Sequence, residues 1–544
     1  MSLARSRVAV QLAWQPLLAL LLLVWSAGCA SLPVNVARTP SQAFASPDQT
    51  SLGRLVAKRK AQAGTRQDSG FALLDGADAA FSSRLALIQD AQSSLDLQYY
   101  AIHADASTER LLQEVREAAH RGVRVRILLD DFNTVGKDAQ VLRLAFEPHV
   151  EIRLFNPLTG SRTSLGGRLL TSVNAMQRIQ KRMHNKLFIA DSAIGITGGR
   201  NLGDEYFGGN GKSNFVDLDV LAAGRIVRDM AESFDRYWNN ELAYPMQALL
   251  SPEELDQLRQ PAAPAPEPGT PVSMATPPQP APVAAVASSP PVPMDFAKLH
   301  LVWAPAVVLQ DHPGKIGPDD EEAAAGDTLV DGLLQLIGAA KQDVLIVSPY
   351  FVPGAQMMDL FRSLKKRGVR LRVLTNSLAS NDAVAAHAGY ARYRKELIAM
   401  GIELYEMRAG PEGDGPGGSG LPATGSGAGG SNSTSSRASL HSKAVVIDNS
   451  LSVIGSMNLD LRSQRSNSEV ALLIRSAALA RSAQERIGTM IEANAYRVEL
   501  AGDDLLWRAP PGAAFKDATS EPEASAKQKM LVRLIAPFAP DELL

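Results

Sequence analysis

The chain has 544 residues, 45% of them hydrophobic, a formal charge of −2 and one cysteine. That length supports two sizeable domains with ordinary cores. A lone cysteine excludes an intrachain disulfide framework, and the near-neutral balance supplies no global basic field of the kind that gathers nucleic acid.

The chain opens with Arg5 and Arg7, an apolar stretch from about Val8 to Val24, and then Ser26-Ala27-Gly28-Cys29. Residues 1–29 read as a secretory leader ending in a lipoprotein-type cleavage box, with Cys29 the residue to be lipidated. An uncleaved membrane anchor, or cleavage without lipidation, are the alternatives. Each reading places the bulk of the chain outside the cytoplasm and against a membrane. Residues 30–68 are polar and mixed, without clear periodicity, and read as a tether.

From residue 69 the pattern becomes α/β. Strands are predicted over 95–100, 123–130 and 150–155, with a helix over 107–120. They open a first domain spanning 69–257. Residues 258–294 form a Pro/Ala-rich stretch that cannot hold a packed core, hence a linker. The plan then repeats over 295–500. Strand 344–350 corresponds to the first strand, Arg367-Gly368-Val369-Arg370-Leu371-Arg372 follows Arg121-Gly122-Val123-Arg124-Val125-Arg126, and 402–406 corresponds to the third. A Gly/Ser-rich insertion, 409–437, lengthens the second half. The tail, 501–544, matches no pattern. Its apolar and acidic end either packs on the core or touches a membrane. The fold class is α/β, with two duplicated domains packed face to face around one active site.

The chemistry repeats with the strands. His184-Asn185-Lys186 with Asp191 is followed by Gly198-Gly199-Arg200-Asn201, and His441-Ser442-Lys443 with Asp448 by Gly455-Ser456-Met457-Asn458. On strands, His184 and Lys186 project together, as do His441 and Lys443. Asp191 and Asp448 fall at strand ends, where tying down a turn or pairing with a cation is their expected work. The glycines allow close approach of backbone to a ligand, and Asn201, Ser456 and Asn458 add polar support.

Two imidazoles, two ammonium groups and two amides around one cavity suit a phosphodiester. One histidine attacks phosphorus and the other protonates the leaving alcohol. Opposite protonation states at the start call for carboxylates nearby. Asp217, on the alternating segment 215–220, and Glu469 each lie beyond the motif of their own half and are the candidates; a surface-strand carboxylate is the other reading. His103 and His387 are candidates for the pocket lining. Arg178, Lys181 and Arg182 either meet lipid phosphates or form a solvated helix face. No Cys/His cluster or paired-carboxylate spacing suggests a metal, so no cofactor is expected.

These residues resemble the phospholipase D superfamily, whose mark is the duplicated His-Lys-Asp motif. Arg182-Met183-His184-Asn185-Lys186, Asp204-Glu205-Tyr206-Phe207, Ser348-Pro349-Tyr350-Phe351-Val352-Pro353 and His387-Ala388-Gly389-Tyr390 are similar to the bacterial cardiolipin synthase C subgroup. The resemblance implies phospholipase D-type domains and catalytic roles for His184, Lys186, Asp191, His441, Lys443 and Asp448. It also implies a phosphohistidine, with His184 as nucleophile and His441 as general acid/base. It further implies transfer of a phosphatidyl group to phosphatidylglycerol, from phosphatidylethanolamine or phosphatidylglycerol. The expected partners are those phospholipids and a bacterial membrane, with no nucleic acid; no motif marks an accessory protein. A hydrolytic phospholipase D and an extracytoplasmic nuclease are the alternatives within the superfamily, and a non-catalytic envelope scaffold the alternative outside it. The intact histidines and lysines of both halves argue against the scaffold.

Overall fold

The computed structural model describes residues 32–160, 176–208, 213–259, 292–317, 328–410 and 437–536. The leader with Cys29, most of the linker, most of the Gly/Ser-rich insertion and the last eight residues lie outside the described residues.

Two 9-stranded sheets share one plan. In the first, Ser94–Tyr99, Arg124–Asp130 and Val150–Phe155 run parallel, and Leu187–Ala190, Ile194–Thr197 and Asp219–Gly224 continue antiparallel. The second repeats this with Asp343–Val347, Arg370–Asn376 and Glu403–Met407, then Ala444–Ile447, Leu451–Gly455 and Val470–Arg475. The parallel strands are Val/Ile/Leu-rich because both their faces are covered.

The repeated Arg-Gly-Val has a local cause. The helix Ala106–His120 starts on Asp105, whose side chain accepts the Thr108 N–H, and turns Leu111, Leu112, Val115 and Ala119 inward. It stops at Gly122, φ 94°, just as Gly354–Lys366 stops at Gly368, φ 79°. A left-handed glycine ends each helix and points the chain into the next strand.

The halves are not separate globules. One apolar cluster takes Phe71, Ile189, Val227, Phe234 and Trp238 from the first unit and Leu345, Val446, Leu472, Leu479 and Ile487 from the second. Helices Arg225–Trp238 and Ala477–Asn494 supply its middle. Each large side chain buried there contributes about 1.5–3 kcal/mol, so docking of the units is part of folding.

Three boundaries depart from the sequence reading. The tether contains a helix, Ser51–Ala63, capped by Thr50, with Leu52 and Val56 in the first core. Its core-facing Leu52, Leu55 and Val56 span little more than one turn, too short a run to register as periodicity. The second domain does not begin at 295: Phe296 lies in the first core, and Val302–Trp303 completes the first sheet along Ser69–Leu74. The tail is partly structural as well. Asp504–Arg508 is the outer strand of the second sheet, and Glu521 and Glu523 pair with Arg394 and Arg408. Among the described residues no helix is long and apolar enough to cross a membrane.

Candidate active site

The motif begins in hairpins. Asp191 and Ser192, φ 53° and 51°, turn Leu187–Ala190 back into Ile194–Thr197, and the Ala193 N–H donates to the Ala190 carbonyl at 3.0 Å. Asp448 and Asn449, φ 50° and 52°, do the same in the second half. Short Asx side chains suit such paired left-handed positions. Each carboxylate then accepts three backbone N–H groups: Asp191 from Gln92, Ser93 and Ser94, and Asp448 from Lys341, Gln342 and Asp343. Both sit at the far end of the strand from the histidine. The catalytic role implied for Asp191 and Asp448 is therefore corrected to the structural one that their strand-end position had suggested. Asp191→Ala and Asp448→Ala are expected to cost about 1–3 kcal/mol of stability each while leaving the kcat of folded protein within about threefold; urea melts with active-site titration check this.

The histidines are not on those strands. Residues 184–186 follow Arg182–Met183, which pairs in parallel with Asn467–Ser468 of the other half. Residues 441–443 follow Arg437–Leu440, which pairs in parallel with Ser213–Val216 of the first half. Two small cross-unit ladders thus carry both histidines into the seam. Each lysine curls back on its own motif: Lys186 Nζ donates to the His184 carbonyl at 2.8 Å and Lys443 Nζ to that of His441 at 2.6 Å.

The carboxylates are exchanged between halves. His184 Nδ1 lies 2.9 Å from Glu469 Oε2, and His441 Nδ1 lies 2.8 Å from Asp217 Oδ2. Asp217 is not on a continuous strand, because pairing breaks between Val216 and Asp219 as the chain passes from one unit's edge to its own sheet. It is 2% exposed, which removes the surface-strand reading. Glu469 is fully buried and also accepts hydrogen bonds from the Ser456 and Ser463 hydroxyls.

Gly199 makes room for this exchange, and Gly455 for the neighbouring strand of its own sheet. A Cβ on Gly199 would lie 2.5 Å from Asp217 Oδ2 and 2.8 Å from the His441 carbonyl oxygen. A Cβ on Gly455 would lie 2.5 Å from the Ala471 Cα. Asn201 braces the wall, accepting from the Ala101 N–H and donating to the Tyr206 hydroxyl. The carbonyl oxygen of Asn458, its counterpart, is buried without a partner among the described residues.

Burial sets the charges. It pushes Lys186 down to about 7 and Lys443 down to about 8, although Glu469 and Asp217 pull the other way. It also holds both imidazoles below their ordinary range, with the neighbouring lysines adding to the effect; His441 falls to about 3. Glu469 is pushed up to about 7 by burial, against Lys186 and the serine hydroxyls. Asp217 behaves oppositely. Burial raises it, but the hydrogen bond with His441 and the cations Arg200 and Lys443 hold it below the ordinary carboxylate range. Two desolvated ammonium groups beside two neutral imidazoles form a site that an oxyanion would complete.

Residues 85–238 and 333–491 match the family described as "Cardiolipin synthase, PLD-like domain". The chain belongs to the phospholipase D-like cardiolipin synthase family. The two matched stretches coincide with the two units, and membership makes the chain an enzyme of the phospholipase D superfamily. It is 37% identical over 412 residues to cardiolipin synthase C of Escherichia coli, covering 75% of this chain and 81% of that protein. It is 25% identical over 446 residues to a cardiolipin synthase of Geobacillus kaustophilus, covering 80% of this chain and 68% of that protein. The crystal structure of phosphatidylserine synthase from Haemophilus influenzae superposes with a TM-score of 0.56 at 14% identity, over 90% of this chain and 99% of that one. That likeness shows the shared fold.

In this cardiolipin synthase-family site, aromatic rings complete the walls. Tyr100 stands edge-on to His184 at 5.2 Å, and Tyr206 and Phe215 meet His441 at 5.3 and 4.9 Å. The sequence alone assigned these rings no role. His103 reaches the neighbourhood, bonded to Asp138 and facing Glu205. His387 does not line the pocket: it is fully buried against Arg394, which bonds Glu521 of the tail. Arg182 is likewise buried, on Asp130 and the Asn156 carbonyl, and meets no surface phosphate. Among the described residues no group of three or more His, Cys, Asp or Glu side chains is placed to hold a metal ion.

The depressed lysines give a pH signature. As pH rises through about 7 to 8 the free enzyme loses its ammonium charges, so kcat/KM is expected to fall on the alkaline side with an apparent pKa in that range. Lys186→Arg, which replaces the ammonium that titrates first with a charge that does not titrate there, should move the limb up towards the Lys443 value of about 8; a kcat/KM profile from about pH 6 to 9 measures it.

Proposed function

We propose that this phosphatidyltransferase makes cardiolipin, moving a phosphatidyl group onto the glycerol hydroxyl of phosphatidylglycerol from phosphatidylethanolamine or a second phosphatidylglycerol. The observation that carries the reading is the exchanged pair of His–carboxylate contacts, which gives one site two imidazoles in different electrostatic settings. Glu469 occupies His184 Nδ1, leaving Nε2 to attack phosphorus. The bond from phosphorus to the leaving oxygen breaks as His441, steadied by ionised Asp217, gives that oxygen its proton. The same histidine then takes the proton of the acceptor hydroxyl, whose oxygen attacks phosphorus and releases His184. Lys186 and Lys443 hold the phosphoryl oxygens throughout. Burial and Lys443 hold His441 neutral in the free enzyme, while ionised Asp217 raises its proton affinity. In this reading the incoming phosphodiester anion tips that balance and gives His441 the proton it delivers. Glu469, itself pushed up by burial, gives His184 less such help and leaves it the nucleophile. In this reading Cys29 or the leader holds the enzyme at the envelope membrane, with both units on its extracytoplasmic side.

Detergent-solubilised enzyme given labelled phosphatidylglycerol, with and without phosphatidylethanolamine, tests this. Labelled cardiolipin is expected, and its dependence on phosphatidylethanolamine identifies the donor. Phosphatidic acid without cardiolipin would make the enzyme a hydrolase instead.

A further inference from the structure

The helix Ala526–Ile535 has a full capping box between Ser525 and Gln528, yet none of its side chains is buried. A ten-residue helix gains most of its stability from an apolar face packed on something. Here Met530 and Leu534, 59% and 60% exposed, stand on the outward face with Lys527 and Arg533. The helix carries Lys527, Lys529 and Arg533 and no acid, in a chain of net charge −2. The other exposed large apolar residues of the second unit, Val307 and Leu500, sit singly on separate strands.

Its place in the fold matters as much as its composition. The inner face lies on helix Val384–Ala391, and Ile535 packs with Val352 and Ala385. The Val352 N–H donates to the Leu459 carbonyl, next to Asn458 of the second motif. The Gln528 amide reaches the Leu378 carbonyl, just beyond Asn376, whose side chain clamps Leu440 beside His441 through two hydrogen bonds of 2.9 Å. Tyr350, hydrogen-bonded to the exposed Asp382, lies on the same rim. The helix therefore stands on the loops that leave the carboxyl ends of the second unit's parallel strands, the end that carries the chemistry.

We infer that Ala526–Ile535 is a docking helix that lies on an anionic phospholipid surface and brings the mouth of the active site to the headgroups. The inference rests on the reading that the substrates are phospholipids. Met530 and Leu534 enter the acyl boundary, while Lys527 and Arg533, exposed on the same face, bring positive charge to the lipid phosphates. A partner protein is the competing occupant; among the exposed residues of the helix itself, two cations and no acid beside two apolar side chains fit a lipid surface better.

The test uses the full chain with a Leu534→Trp substitution, and Val307→Trp as the control on a distant strand. Each is mixed with vesicles of phosphatidylglycerol and phosphatidylcholine carrying brominated acyl chains. The fluorescence added by Leu534→Trp should be quenched at least about twofold more than that added by Val307→Trp; equal quenching, or none, overturns the inference. Independently, Met530→Asp combined with Leu534→Asp should lower turnover of vesicle-embedded phosphatidylglycerol about tenfold or more. It should leave turnover of monomeric short-chain phosphatidylglycerol within about twofold. An equal loss on both substrates would mean that the helix serves the fold, and no loss on either would mean that it docks nothing. If wild type turns over neither lipid, the substrate reading fails, while the quenching comparison still decides the docking.

Discussion

His184→Ala and His441→Ala are each expected to lower kcat by about 10⁴-fold or more, with the double variant scarcely worse than either single one. The two side chains act on the same phosphorus, so removing one leaves the other with little to do. Their roles separate with a donor whose leaving group needs no proton. A nitrophenyl phosphatidyl ester should restore donor cleavage to His441→Ala by about 10²-fold or more, because general-acid help is worth roughly that much. The same ester should not rescue His184→Ala, which lacks the nucleophile. Equal rescue of both would reverse or dissolve the assignment. Both histidines lie in the seam between the units, so thermal melts should accompany the kinetics.

Glu469→Gln and Asp217→Asn are expected to lower kcat by roughly 10²–10⁴-fold while preserving shape. An amide cannot accept the Nδ1 proton in the same way or steady a positive ring. Because the carboxylates are exchanged, each change should impair the step run by the other half's histidine. Asp217→Asn, in the first unit, should be relieved by the nitrophenyl ester, since its partner is His441. Glu469→Gln, in the second unit, should not be, since its partner is His184. The opposite pattern, measured as donor cleavage under single-turnover conditions, would show that each carboxylate serves its own half.

Much of this was legible beforehand, for physical reasons that can be named. The strands at 123–130 and 150–155 are runs of β-branched and long apolar residues and appear where expected, within a residue at the ends. The duplicated motif located both histidines because two copies at matched spacing leave little room for accident. The exchange of carboxylates was not legible. Asp217 and Glu469 stand 33 and 28 residues beyond the histidines of their own halves, and in a duplicated chain that matched spacing cannot tell whether each serves its own half or the other. The break at Asp217 was hidden too, because 215–220 alternates like one strand while its first part pairs with the opposite unit. Gly199 read as room for a ligand, yet its missing side chain makes room for Asp217 and the His441 carbonyl, a contact between segments far apart in sequence. The helix Ala526–Ile535 lacked a signal for the converse reason: with both faces mixed, its pattern matches neither a core helix nor a loop.

Two halves forming one site, in which His184 attacks and His441 delivers the proton, leave a chemical trace on His184. The most direct test is acid- and base-controlled quenching of enzyme with labelled donor and no acceptor, followed by peptide mapping of the labelled protein. A base-stable, acid-labile phosphatidyl adduct is expected on the peptide containing His184, absent from His184→Ala and still formed by His441→Ala with the nitrophenyl ester. An adduct on the His441 peptide would reverse the roles, and single-turnover cardiolipin formation with no adduct on either histidine would contradict the account.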